Sequence, residues 1–160
     1  MKKLLGFSLV CLFVAGLAVS AFAQSWDAGV IKQCGEWKQM AADKKEMPAS
    51  IPGAKIIAGA ELKKWADQGK KVIFLDNRVK EQYDAEKIKG AKWLLADHLL
   101  ADPKLLDQFK KDDVIVNYCN GVLCWRSPAV ALMMTKAGFK NVYWYREGLP
   151  EWKKLKYPTE

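Results

Sequence analysis

Three short apolar runs punctuate the chain between residues 71 and 145: "KVIFLD", "DVIVNYC" and "KNVYWY". Each is too short for a buried helix and rich in β-branched or aromatic residues, as a strand buried on both faces of a parallel sheet must be. The stretches between them are amphipathic or polar. "VKEQYDAEKIKG" reads as a polar turn or short helix closing at Gly90, and "AKWLLA" as extended or as the start of a helix continued by "DPKLLDQFKK". Ser127 and Pro128 are expected to open a helix that runs to Lys136 and stops at Gly138, with Ser as N-cap and Pro at the first helical position. "LPEWKKL" forms a terminal helical turn. Upstream, Val30, Ile31, Cys34, Trp37 and Ala41 recur at helical spacing and predict an amphipathic helix ending before Pro48. "ASIPGAKI" reads as a connector, and "GAELKKWADQGK" as a short helix with Leu62, Trp65 and Ala66 inward and Gly69 as its stop. The pattern predicts an α/β fold, a parallel sheet flanked by helices, with an extra N-terminal helix.

The first residues follow a different logic. Lys2 and Lys3 are a basic n-region, Leu4 to Ser20 an apolar h-region, and Ala21-Phe22-Ala23 a small-x-small site before Gln24. This three-part pattern predicts a cleaved Sec-type signal peptide over residues 1–23 and a periplasmic or secreted protein, with no stable membrane insertion after cleavage. The competing reading is an uncleaved anchor, since the apolar stretch approaches the length that spans a bilayer. Cys11 lies within the h-region and leaves with it.

The 160 residues include 26 Lys and Arg against 18 Asp and Glu, a net charge of +8. The leader carries two basic residues and no acidic ones, so the remaining 137 residues keep +6. That is enough chain for one domain with its own core. The charge suits a small anionic substrate or an acidic partner. No basic stripe of the nucleic-acid-binding kind appears. Cys34, Cys119 and Cys124 remain, too few for a disulfide scaffold and odd in number, so at least one is unpaired or pairs between chains. Cys34 lies on the apolar face of the N-terminal helix, where a free cysteine behaves as a small buried hydrophobe.

The chemistry concentrates in "VIVNYCNGVLCWRSPAVALMM". Ligands of open α/β sheets bind beyond the carboxyl ends of the strands. Cys119 ends a predicted strand there, and the loop Asn120-Gly121-Val122-Leu123-Cys124-Trp125-Arg126 leads into a helix. Unpaired N–H groups and the dipole at a helix N-terminus favour an anion such as a thiolate. Gly121 lets the backbone turn its amides inward, and Arg126 adds fixed positive charge. Trp125 is a candidate wall of the pocket, and Arg146 and Glu147 candidate rim residues. Cys124 has three open readings: a resolving thiol for chemistry on Cys119, a partner in a protective disulfide, or a filler of the loop interior. No metal site is expected from Cys119, Cys124, Cys34 and His98, because the cysteine spacing and ligand count are poor for zinc. No cofactor is expected either.

From about Ile56 to Tyr157 the chain resembles a single rhodanese-like domain. "KKVIFLDNRVKEQYDAEKIKGAKWL" carries the family's first strand with Asp76-Asn77-Arg78 and the closing Gly90-Ala91. "VIVNYC" resembles the strand into the active-site cysteine. "RSPAVALMMTKAGFKNVYWYREGLPEW" resembles the helix, the Gly-Phe-x-x-Val strand and the final Gly-x-x-x-Trp, here Gly148 to Trp152. The resemblance implies a rhodanese-like domain over residues 49–160, preceded by a helical extension over 24–48. It implies that Cys119 carries a persulfide, that Arg126 closes the loop around it, and that Asp76 and Arg78 brace the architecture nearby. Cys119 to Arg126 reads C-x-x-x-x-x-x-R, two residues longer than the common C-x-x-x-x-R loop, and Lys87 stands where a histidine is often found. A longer loop implies a larger pocket, and Cys124 belongs to the insertion.

The leading expectation is therefore an exported sulfurtransferase. It moves sulfane sulfur from a small anionic donor (thiosulfate, polysulfide or a persulfide) to a thiol, sulfide or cyanide acceptor through Cys119. The alternatives are a thiol–disulfide redox protein using Cys119 and Cys124, and a non-catalytic sulfur-binding module. The N-terminal helix is expected either to cover the domain or to mediate a homodimer.

Overall fold

The structure is a computed structural model that describes residues 25–160. The leader, its cleavage site and Cys11 lie outside the described residues. The elements in chain order are α1 (Ala28–Ala42), β1 (Lys55–Ile56), α2 (Gly59–Asp67), β2 (Ile73–Asp76), α3 (Lys80–Ala85), β3 (Lys92–Trp93), α4 (Ala96–Ala101), a 3-10 turn (Pro103–Leu106), β4 (Val114–Tyr118), α5 (Arg126–Lys136), β5 (Asn141–Tyr145) and α6 (Gly148–Lys154). No helix among the described residues is long and apolar enough to cross a membrane.

The five strands form one parallel sheet in the order β1-β5-β4-β2-β3. The three predicted apolar runs are its centre, β5, β4 and β2. Their alternation assigns side chains to two cores. Ile115 of β4, Leu75 of β2 and Val142 and Trp144 of β5 join the core under α1, α4 and α5. Val116, Tyr118, Phe74 and Tyr145 face the opposite core with Leu62 and Trp65 of α2 and Trp152 of α6. Burial on both faces is why these runs lack the polar alternation of a solvated strand. The chain moves outward from β2 to β3, returns to the centre at β4, then leaves in the other direction to β5. This places the reversal point, where α/β sheets open a crevice, at the carboxyl ends of β2 and β4.

The N-terminal extension belongs to the same core. Asp27 caps α1, its carboxylate accepting from Val30 N–H at 2.9 Å. Val30, Cys34 and Trp37 turn inward against α5, and Met47 beyond the helix is 1% exposed. The extension thus covers the α5 face of the domain. Burial of Cys34 pushes its thiol up to about 11.

Two local expectations are corrected. The segment read as a connector contains β1, a two-residue edge strand that pairs with Tyr143 and Trp144. The helix expected to be capped by Ser127 begins two residues earlier, at Arg126 and not Pro128, with Trp125 as the flanking residue and no side-chain cap. The Ser127 hydroxyl is drawn inward instead, accepting from the buried Trp144 indole N–H at 3.0 Å. That partner replaces the capping bond, and Pro128 still falls in the first turn, where its missing N–H costs nothing.

Candidate functional site

The site is built on Tyr118 and Cys119, where the central strand β4 ends. Tyr118 stands in register between Asp76 of β2 and Tyr145 of β5. Its hydroxyl donates to Asp76 Oδ2 at 2.7 Å and accepts from Ile88 N–H at 3.1 Å. Burial, then the neighbouring Asp76 charge, push the phenol well above its ordinary range, so it acts as a fixed hydrogen-bond bracket. Asp76 in turn takes a fork from Arg78, whose Nε lies 2.9 Å from Oδ1 and whose Nη2 lies 2.6 Å from Oδ2. Asp76 is fully buried and Arg78 only 5% exposed. Arg78 Nη2 also donates to the Glu86 carbonyl, and Asn77 ties β2 to Leu94 by its side-chain amide at 2.8 Å. A buried, fully directed ion pair of this kind holds geometry more than it adds net stability. It fixes the floor beneath the cysteine loop.

Cys119 and Cys124 are joined by a disulfide with Cα atoms 6.2 Å apart. The ring is tightened by Cys124 N–H donating to the Gly121 carbonyl at 3.0 Å, with Gly121 at φ +95°. Two further contacts clamp the ring from outside. Leu149 N–H donates to the Cys119 carbonyl at 2.9 Å. Gly148 (φ +63°) approaches so closely that a Cβ there would lie 2.8 Å from Gly121 N and nearer still to the Cys119 carbonyl oxygen. From the other side, Met47 N–H donates to the Val122 carbonyl at 2.8 Å. Arg146, just past β5, binds the Met47 carbonyl at 2.8 Å and Glu46 at 2.9 Å. The extension and the β5–α6 turn therefore grip the loop together.

The remaining loop residues separate. Asn120 reaches Gln82, its amide donating at 2.8 Å. Gly121, Val122 and Leu123 line an open hollow of about 540 Å3 with Glu147, Pro150, Glu151 and Lys154, and Leu123 is 45% exposed. On the far side of Asn120 a second hollow of about 350 Å3 is lined by Arg78, Glu86, Leu149, Pro150 and Lys153. Trp125 lines neither. Its buried ring borders a hollow between α1 and α4, with Ile31, Cys34, Lys38 and Leu100, and the Lys38 ammonium sits 5.3 Å from the ring centroid. Arg126 Nε donates to Asp97 of α4 at 2.9 Å, so its charge is shared with that carboxylate. Arg126 opens α5, whose own first turn carries no acidic residue and no side-chain cap, while the Asp97 carboxylate of α4 stands against its first residue. Within the bridged loop, the Cys124 N–H is spent on the Gly121 carbonyl.

Sequence reasoning brought Cys119, Cys124, Arg146, Glu147 and the Asp76–Arg78 pair to one end of the sheet, and the fold assembles them there. It missed Tyr118, Met47 and the clamping role of Gly148. Tyr118 carried a local signal, a polar tip on a residue of a buried strand next to the cysteine. Met47 carried none, because its bond to Val122 joins segments far apart in the chain.

With this geometry in view, the likenesses to known proteins are specific. The family model of the rhodanese-like domain matches residues 58–155. Among curated proteins, the probable adenylyltransferase/sulfurtransferase MoeZ of Mycobacterium tuberculosis is 31% identical over 103 residues, which is 64% of this chain but 25% of that protein. The chain thus spans a quarter of that relative's length. Among solved structures, the rhodanese-like domain of an Anabaena sp. protein is 26% identical with a TM-score of 0.57, covering 65% of this chain and 76% of that one. The thiosulfate sulfurtransferase of Pseudomonas aeruginosa shares the fold at 16% identity and a TM-score of 0.54, over 82% of this chain and 23% of that one. A match over most of the sheet, with the bridged cysteine at the end of its central strand, places this chain in the rhodanese-like domain family.

Proposed function

We propose that the protein is an exported sulfurtransferase of the rhodanese type in which Cys119, once released from its bridge, carries sulfane sulfur. The observation that carries this reading is the position of Cys119. It ends the central parallel strand, at the sheet's reversal point, at the head of a loop that runs into an uncapped helix. The Cys119 thiolate attacks the outer sulfur of thiosulfate and expels sulfite, or attacks a polysulfide and expels the shortened chain. Either step leaves a Cys119 persulfide. A thiol, sulfide or cyanide acceptor then takes the outer sulfur and restores the thiolate. Charge on the sulfur is met by the preorganised dipoles of the loop and the start of α5. Asn120, Gly121, Val122, Leu123, Trp125 and Arg126 shape the loop.

Cys124 resolves the persulfide: its thiolate attacks Cys119 Sγ, expels hydrosulfide and forms the bridge. Each such cycle then needs an external dithiol to reopen it. Export follows from the residue 1–23 leader and is checked by N-terminal sequencing of protein from fractionated cells, which should begin at Gln24. The functional test is turnover by pre-reduced protein. Sulfite or thiocyanate should form from thiosulfate and cyanide, or sulfide from polysulfide and a dithiol, and Cys119→Ser should abolish it. Inactivity of the reduced protein with every donor would dismiss the proposal.

The bridge itself favours a second reading, a thiol–disulfide exchange protein. A redox titration separates the two: reversible bridging that serves a partner disulfide, with no sulfur loading, is the signature of that alternative.

A further inference from the structure

The two bridged sulfurs are not equivalent. Cys119 is 1% exposed, at the end of β4 and under the Gly148–Leu149 clamp. Cys124 is half-buried and follows Leu123, which is exposed on the rim of the 540 Å3 hollow. Thiol–disulfide exchange is an in-line displacement, so the nucleophile must approach a sulfur from the side opposite its bonded partner, and the reaction depends on which sulfur is accessible. Cys119 is closed to solvent, whereas Cys124 is partly open to it.

We propose that Cys124 is the entry sulfur for reduction, the site at which an external dithiol attaches covalently. The donor thiolate forms a bond to Cys124 Sγ, the Cys119–Cys124 bond breaks, and its electron pair leaves on Cys119 Sγ as a thiolate. The donor's second thiol, deprotonated, then attacks the donor's own bridging sulfur. This frees Cys124 as a thiolate, which takes up a proton, and the donor departs as its disulfide. The protein gains two electrons and the dithiol loses two. The leaving position suits Cys119. Its loop runs into an eleven-residue helix with no acidic residue in its own first turn and no side-chain cap, and a better-stabilised leaving thiolate departs faster. Attack from outside thus delivers the buried sulfur in its nucleophilic form while the exposed one is still occupied. In this way the insertion that lengthens the loop gives the protein a reductive port separate from its sulfur carrier. The port rests only on the bridge; naming Cys119 as the sulfur carrier rests on the reading above.

The experiment uses the full oxidised protein and glutathione as a monothiol probe, with an acid quench after a short exposure and N-ethylmaleimide to block the freed thiol. Tandem mass spectrometry of the peptide holding both cysteines locates the two labels. The expected product carries glutathione on Cys124 and maleimide on Cys119, at least about tenfold over the reverse arrangement. Equal labelling or the reverse arrangement overturns the proposal. A rim variant gives a second readout. Leu123→Glu, on an exposed side chain, should slow reduction by anionic glutathione about threefold more than reduction by uncharged 2-mercaptoethanol. Equal slowing by both reagents would contradict entry beside Leu123. Neither result depends on sulfur loading, so failure here and failure of the sulfurtransferase reading are told apart.

Discussion

Replacing Gly148 by alanine tests whether the β5–α6 turn clamps the cysteine loop. Two effects combine there. Gly148 has φ +63°, and an L-residue held in the left-handed region costs about 1–2 kcal/mol. A Cβ would also meet backbone, not a side chain that can swing away: Gly121 N at 2.8 Å, the Cys119 carbonyl carbon at 2.9 Å and the Cys119 oxygen closer still. Relieving that overlap means moving the turn or the loop, at about 1–3 kcal/mol for overpacking, and weakens the Leu149 to Cys119 hydrogen bond. We expect Gly148→Ala to destabilise the oxidised protein by about 3 kcal/mol in urea unfolding. The control is Gly138→Ala. Gly138 also has a positive φ, +83°, but a Cβ there meets nothing within 4 Å, so it should lose only the conformational part, about 1 kcal/mol. The difference of about 2 kcal/mol isolates the close approach. If the two variants unfold within about 0.5 kcal/mol of each other, the clamp does not constrain the loop and the reasoning fails.

Three further outcomes are expected. Tyr118→Phe removes the donor to Asp76 and leaves Ile88 N–H without its acceptor in a buried place, so chemical denaturation should show a loss of about 1–3 kcal/mol. Opening the bridge by a dithiol, or by Cys124→Ser, frees a six-residue ring and should lower stability by about 2 kcal/mol in the same assay. Cys34, raised by burial from 9.0 to about 11, should resist iodoacetamide at pH 8 about a hundredfold better than an ordinary thiol and react at once on unfolding. Its folded-state value is the higher one. Its stabilising contribution is therefore complete below pH 9 and lost as pH rises towards 11, so Cys34→Ala should flatten the alkaline fall in stability.

What was legible in the sequence follows from range. The three central strands could be read because strands buried on both faces must be short, apolar and β-branched. The edge strand β1 could not, and β3 was left between extended and helical, since two-residue edge strands take their pairing from neighbours and not from their own pattern. The start of α5 was misplaced for a tertiary reason: Ser127 looked like a cap, but Trp144 claimed its hydroxyl. At the site, the cysteine pair and the Asp76–Arg78 pair are local signals and were visible. Whether Cys124 bridges, resolves or fills was open, because a ring closure depends on how the loop curls. The grip of Met47 and Arg146 on the loop lies wholly in tertiary structure. Of the extension, the helix and its apolar face with Cys34 showed in the sequence; that this face packs against α5 did not.

The account turns on whether residue 119, released from Cys124, accepts sulfur. The direct measurement is the mass of the cysteine peptide after reduced protein is offered thiosulfate or polysulfide, compared across wild type, Cys119→Ser and Cys124→Ser. The account predicts one added sulfur located on Cys119 in reduced wild type and, longer-lived, in Cys124→Ser, and none in Cys119→Ser or in the bridged protein. Sulfur found on Cys124 instead, or no adduct with any donor, would contradict it.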